Sequence, residues 1–128
     1  MKFIIDENIG KKFAAGMKGF GEDVEFVADE LHRQGASDTE ILEHVGRNGH
    51  AFISHDKALR YKPAIQSLIK EYRVKSFYLS GKDLRGCKII QSLVRAWPNI
   101  KEKASSHEGP FIWNITQSGK LDKNPRRL

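Results

Sequence analysis

Apolar residues along this chain follow two rhythms. Short runs that are continuously or alternately apolar recur at Phe3-Ile4-Ile5, Val24 to Ala28, His50 to Ser54, Val74 to Leu79 and Pro110 to Thr116. Between them, apolar residues return every three or four positions: Ile9, Phe13 and Met17; Ile41, Leu42 and Val45; Ile65, Leu68, Ile69 and Tyr72; Ile89, Ile90, Leu93, Val94 and Trp97. The first rhythm is that of strands and the second that of helices with one buried face. Phe3 to Ile5 and His50 to Ser54 are apolar on both faces, as interior strands of a helix-covered sheet are. In the last run Phe111, Trp113 and Ile115 share one face.

Polar and turn residues punctuate these runs. Asn8 is placed to cap a helix reaching about Lys18, and Gly16, Gly19 and Gly21 supply the turn after it. Asp29 to Ala36 reads as a polar loop or a short helix. Ser37 or Asp38 caps the next helix, Glu40 or Glu43 stands near its positive end, and Gly46 with Asn48-Gly49 stops it. Pro63 suits a first helical position. Gly81 closes the fourth strand, and a helix from Asp83 to Ala96 is expected to end at Pro98, followed by a polar connection from Lys101 to Gly109. Gln117 to Lys120 forms a turn toward a short hairpin partner at Leu121, and residues 117–128 make a C-terminal turn and basic tail. The order of elements predicts a single domain over 1–128: a three-layer α/β/α sandwich with a mainly parallel central sheet and a C-terminal strand or hairpin.

Composition narrows the function classes. At 128 residues, 39% hydrophobic and 30% charged, the chain is an ordinary globular domain. One cysteine excludes an internal disulfide and fits a reducing compartment. No apolar run approaches membrane-spanning length, and the first residues are too short a run for a signal peptide, so a soluble cytoplasmic protein is expected. The net charge of +6 is unevenly spread. Residues 1–54 carry 6 Lys/Arg against 10 Asp/Glu, and residues 55–128 carry 16 against 6. The basic half would attract a polyanion, nucleic acid first among them.

The acidic half carries the candidate chemistry. Asp6 and Glu7 follow the first strand, Asp38 opens a helix, and Asp56 follows the strand that succeeds that helix. If this helix and strand run antiparallel, Asp38 and Asp56 reach one edge of the sheet, and Asp6 joins them there. Carboxylates gathered in one place repel each other, and such clusters usually hold a hard divalent cation. Singly, each acid has an ordinary role as a cap, a helix-dipole charge or an exposed loop residue. Only the trio, in this order, argues for a site.

Other features carry less. His32, His44, His50, His55 and His107 show no pair at zinc-ligand spacing. They read as surface or core residues, with His55 able to touch a substrate beside Asp56. Cys87 reads as a small buried apolar residue. Trp97 and Trp113 sit on apolar faces and suit packing better than base stacking. Gly19-Phe20-Gly21 lacks the Lys-Ser/Thr ending of a phosphate loop and precedes a strand.

Asp6-Glu7-Asn8, Ser37-Asp38-x-x-Ile41-Leu42 and Ser54-His55-Asp56-Lys57, with Gly49 and a strand between the second and third, resemble the PIN-like nuclease family. Among its members the chain is most similar to the compact VapC-type toxins of toxin–antitoxin pairs. The resemblance implies a metal-dependent ribonuclease using Mg²⁺ or Mn²⁺, with Asp6, Asp38 and Asp56 as catalytic metal ligands. Glu7 or Glu30 would supply the further acid that family members often carry. Asn8 and Ser54 would orient a carboxylate or a water, and Lys57, Arg60 and Lys62 would hold the RNA backbone. A cognate antitoxin protein and a homodimer are the expected protein partners. Two other readings stand beside this one. The chain could keep the fold as an RNA-binding module without cleavage, or it could be an interaction domain whose Trp113 strand pairs with a partner chain.

Overall fold

The computed structural model describes residues 1–81 and 84–123, with the side chains of Leu59 and Arg60 excepted. The expected helix start at Asp83, the side chain of Arg60 and the tail beyond Lys123 lie outside those residues. Six strands form one sheet: β1 (Phe3–Ile5), β2 (Val24–Phe26), β3 (Ala51–Ser54), β4 (Lys75–Leu79), β5 (Phe111–Ile115) and β6 (Leu121–Lys123). Their order is β2-β1-β3-β4-β5-β6. Every pairing is parallel except β5 with β6, which is an antiparallel hairpin. The α/β sandwich and the terminal hairpin read from the sequence are therefore present.

Helices cover both faces. Phe13 and Ala14 of α1 (Lys11–Gly19) and Leu93, Ala96, Trp97 and Ile100 of α6 (Cys87–Ser106) pack against Phe3, Ile5 and Ile53. On the other face lie Val27 of α2 (Val27–Leu31), Ile41, Leu42 and Val45 of α3 (Asp38–Arg47), and Ile65 and Ile69 of α5 (Pro63–Glu71). They meet Ile4 and Phe52. Successive strand residues thus feed opposite cores, as a period of two requires. A short α4 (Lys57–Tyr61) follows β3. Among the described residues no helix is long and apolar enough to cross a membrane.

Several local expectations change. Gly10, not Asn8, precedes α1 as its N-cap, and Asn8 bonds across to β3 instead. The second strand stops at Phe26 rather than Ala28, because Val27 turns inward and begins α2 with Asp29 and Glu30 in its first turn, where the helix dipole favours acids. Pro98 does not end a helix. It lies on the exposed side of α6, which runs on to Ser106, so the supposed polar connection from Lys101 is largely helical. The buried stripe Leu93, Ala96, Trp97, Ile100 and Ala104 continues past Pro98, and that burial outweighs the roughly 3 kcal/mol that an interior proline costs. The same stripe leaves Ile90 and Val94 at 46% and 49% exposure. They are not part of the buried face expected of them. Cys87, at the start of α6, is exposed rather than buried.

Trp113 does lie on the inner face with Phe111 and Ile115, and the Lys103 ammonium sits 4.2 Å above its ring. Its strand is not an edge: Trp113, Asn114 and Ile115 pair with β4 on one side and β6 on the other. Edge addition through that strand, as expected for an interaction domain, finds these residues already paired.

Gly46 is no stop signal either. It lies inside α3, where an added Cβ would stand 2.7 Å from the Tyr72 Cβ and closer still to the Tyr72 carbonyl oxygen. The glycine lets α3 approach the end of α5. Gly46→Ala is expected to lower stability by ~1–3 kcal/mol, seen as a lower urea midpoint with an unchanged m-value. On the opposite face, Glu22 Oε1 accepts from the largely buried Trp97 indole at 2.6 Å and from Lys101 Nζ at 2.9 Å. Those bonds, Lys101 first, hold its carboxyl below the ordinary value. The stability it contributes is present above the unfolded carboxylate pKa and is lost as pH falls through the folded one. Glu22→Gln is expected to cost about 1 kcal/mol at neutral pH, and denaturation curves of the two proteins should converge on acidification.

Candidate metal centre at the carboxylate cavity

The sheet's order reverses between β1 and β3: the chain leaves β1 for β2 on one side and returns to β3 on the other. In open α/β sheets the crevice beyond the C-terminal ends of such strands is where ligands bind. Asp6 follows β1 there and Asp56 follows β3. Asp38 arrives because α3 runs back antiparallel to β3, so its first turn lies at the strand's C-terminal end. A full capping box fixes that turn: Ser37 Oγ accepts from the Glu40 N–H at 3.2 Å, and Glu40 Oε1 accepts from the Ser37 N–H at 3.4 Å.

Asp6, Asp38, Ser54 and Asp56 line one small cavity of about 20 Å³ whose remaining wall is apolar: Ile41, Leu42, Phe52, Ala58 and Ile65. That is room for one water-sized occupant. The apolar wall was legible in the sequence only as helix and strand faces, with nothing to mark it as part of a site.

Ser54 organises the polar side. At 1% exposure, its hydroxyl donates to Asp6 Oδ2 at 2.7 Å and accepts from the Asp56 N–H at 3.0 Å and Asn8 Nδ2 at 3.4 Å. One donor and two acceptors exhaust its bonding capacity. Asn8 Oδ1 in turn accepts from the His55 N–H at 2.9 Å. Asp6 Oδ1 takes the Glu7 N–H at 2.8 Å, and the Asp6 N–H reaches the Ile53 carbonyl at 3.0 Å. Asp56 caps α4 by accepting from the Ala58 N–H at 2.9 Å.

Electrostatics make Asp6 the unusual member. Burial pushes its carboxyl above the ordinary value, against the bonds from Ser54 and Glu7, and the charge of Asp56 pushes the same way. Among the described residues only neutral donors meet it, so there it is a half-buried carboxylate without a cationic partner. A group raised in this way favours the fold when protonated, a contribution lost as pH rises through its folded pKa.

The other residues singled out in the sequence fall around this cavity or away from it. Glu7, Asn8, Lys57 and Lys62 are exposed and do not line it. His55 donates from Nδ1 to the Leu79 carbonyl at 2.6 Å and stacks on Tyr78. Glu30 lies elsewhere altogether, bonded to Lys2 at 2.9 Å and His44 at 2.7 Å. Among the described residues, the side chains whose ligand atoms all lie within 4.8 Å of one another are Glu30, His44 and His50, not the three aspartates. The two histidines, read from the sequence as unrelated, are thus brought together. Their spacing fits no familiar motif, and only the fold joins them to Glu30.

Asp6→Asn is expected to raise the thermal midpoint in metal-free buffer at neutral pH by roughly a few °C, about 1 kcal/mol. Scanning calorimetry at neutral and at acidic pH checks it, with the gain shrinking as wild-type Asp6 protonates.

A family model described as a PIN-like domain matches residues 1–81, the stretch from β1 through β4 that contains all three aspartates. No curated protein and no solved structure gives a match.

Proposed function

The chain belongs to the PIN-like domain family, and on that footing we propose that it is a metal-dependent endoribonuclease, the toxin of a type II toxin–antitoxin pair. PIN-like domains form a nuclease superfamily and generally use divalent metals. The observation that supports the reading is the shared cavity of Asp6, Asp38 and Asp56 at the sheet's reversal point.

The donor set suits Mg²⁺ or Mn²⁺. Three carboxylates are hard oxygen ligands, and among the described residues half-buried Asp6 lacks the positive charge that a cation would supply. Asp6, Asp38 and Asp56 would hold the ion, which when bound activates water and offsets negative charge on the phosphate. Ser54 fixes Asp6 by donating to Oδ2, which leaves the orientation of that carboxylate little freedom. Asn8 ties Ser54 and His55 together at the end of β3. Ile41, Leu42, Phe52 and Ile65 wall the inner side of the cavity, while Asp38 and Asp56 stand exposed to solvent. Lys57 and Lys62 stand exposed on the chain just past Asp56, where with Arg60 they would bind the RNA backbone. Glu7 would lie at the rim as an additional acid.

A second reading has its own support. Glu30 is engaged away from the cavity, and the three aspartates do not come within 4.8 Å of one another. Such a site suits an RNA-binding or protein-interaction module that keeps the fold without cleavage.

One experiment separates them: incubation of a mixed RNA pool with Mn²⁺, with EDTA, and with variants. The nuclease reading expects cleavage that needs the metal. Asp6→Asn, Asp38→Asn and Asp56→Asn should each lose more than the roughly 10–100-fold expected for Ser54→Ala as a supporting residue. Wild-type expression should arrest growth, and Asp56→Asn should relieve the arrest. RNA retained in EDTA, without cleavage in Mn²⁺ and with binding that weakens steeply as salt rises, would establish the binding module instead.

A further inference from the structure

At the opposite end of the sheet, before the strands begin, three elements bring together a different set of ligands. Glu30 comes from α2, His44 from the last turn of α3, and His50 from the residue preceding β3. His44 lies six residues along α3 from Asp38, roughly 9 Å along the helix axis. We propose that Glu30, His44 and His50 form a second cation site, distinct from the carboxylate cavity, for a late first-row divalent metal of the Zn²⁺ type.

The geometry carries the proposal. His44 Nε2 lies 2.7 Å and His50 Nε2 3.4 Å from the same oxygen, Glu30 Oε2. A tetrahedral zinc with bonds near 2.0–2.1 Å holds its ligand atoms roughly 3.3 Å apart. The His50 separation already has this value, and the His44 separation is a hydrogen bond that must open by about 0.6 Å. Two imidazoles and a carboxylate with a fourth position left to water form a donor set that zinc accepts and that Mg²⁺, which prefers oxygen, does not.

The surroundings are compatible with filling. Glu30 is 9% exposed, His50 17% and His44 30%, so the ligands are held by packing while His44 leaves a route for an ion. The Lys2 ammonium bonds Glu30 at Oε1, 2.9 Å away, and not at the oxygen that both imidazoles face. Burial first, opposed by the charge of Glu30, keeps His50 below the ordinary imidazole value and so in the neutral form that a metal needs. A metal on His44 Nε2 places the ring proton on Nδ1, so the Asn48 Nδ2 group, itself a donor 3.4 Å from that atom, would have to turn aside. The site would then clamp α2 to α3 and β3.

The test is titration of the full chain with Zn²⁺ alone, by calorimetry and thermal shift. Wild-type protein should bind one equivalent at this site and rise in Tm. Asp56→Asn should bind equally well. His44→Ala with His50→Ala should weaken binding by at least ~100-fold, beyond what an outer-shell change does. Lys2→Met keeps all three ligands and removes a competing charge, so it should bind severalfold to ~10-fold tighter. This variant keeps the test decisive should the histidine double variant fold poorly. Zinc affinity unchanged in the histidine variant, lost in Asp56→Asn, or weakened in Lys2→Met would overturn the proposal, as would no zinc binding by wild type. None of these readouts depends on RNA cleavage, so the nuclease reading stands or falls separately.

Discussion

Three residues, Phe3-Ile4-Ile5, are paired on both edges and buried on both faces. β3 shares this position, paired with β1 and β4 and buried along its length. β1 must accept β2 on one side and β3 on the other, and its alternating side chains must serve two cores at once. Because strand order reverses across it, helices leave toward both faces and a crevice opens at its C-terminal end. The residue that meets that crevice is Asp6, held by its own N–H to β3 and by its carboxylate to Ser54. The site is thus a continuation of the central ladder. It is not a loop laid over the fold.

The two ends of the sheet treat a half-buried acid in opposite ways. Glu30 is met by the Lys2 ammonium and by His44, which overcome the effect of burial and hold its carboxyl below the ordinary value. Asp6 is met by a hydroxyl, an amide N–H and another acid nearby, and it stays above. Native folds seldom leave a buried charge uncompensated unless something else supplies the compensation. That asymmetry makes the Asp6 end the one where a divalent cation would change most. Ser54 matters there for a geometric reason: its single proton goes to Asp6, and its two lone pairs receive Asp56 and Asn8.

Most of the architecture was legible because period and punctuation agree along much of the chain. Phe3 to Ile5, Ile41 with Leu42 and Val45, and Pro63 with Ile65 each carry a pattern that tertiary packing reinforces. The aspartates were legible as a set because each sits at the end of an element whose direction the pattern gives. The failures are equally specific. Pro98 looks like a terminator to local rules, yet the stripe through Trp97 and Ile100 holds α6 together past it. Gly46 looks like a stop, but its missing side chain makes room for the Tyr72 backbone, a contact between elements that no window reveals. Cys87, Ile90 and Val94 fall outside the buried stripe because a helix of this length has more apolar positions than its sheet can cover. Glu30, His44 and His50 converge only after α2, α3 and β3 have packed.

The reversal of strand order also has a thermodynamic consequence. Pairing β1 with β2 closes the chain between Ile5 and Val24, and pairing it with β3 closes the chain between Ile5 and Ala51. The second closure is roughly two to three times longer, and chain entropy grows only with the logarithm of length. The added penalty is therefore about 0.6–1 kcal/mol, less than the burial of one large aliphatic side chain contributes. A crevice between non-consecutive strands is an inexpensive feature for a chain of this size to maintain.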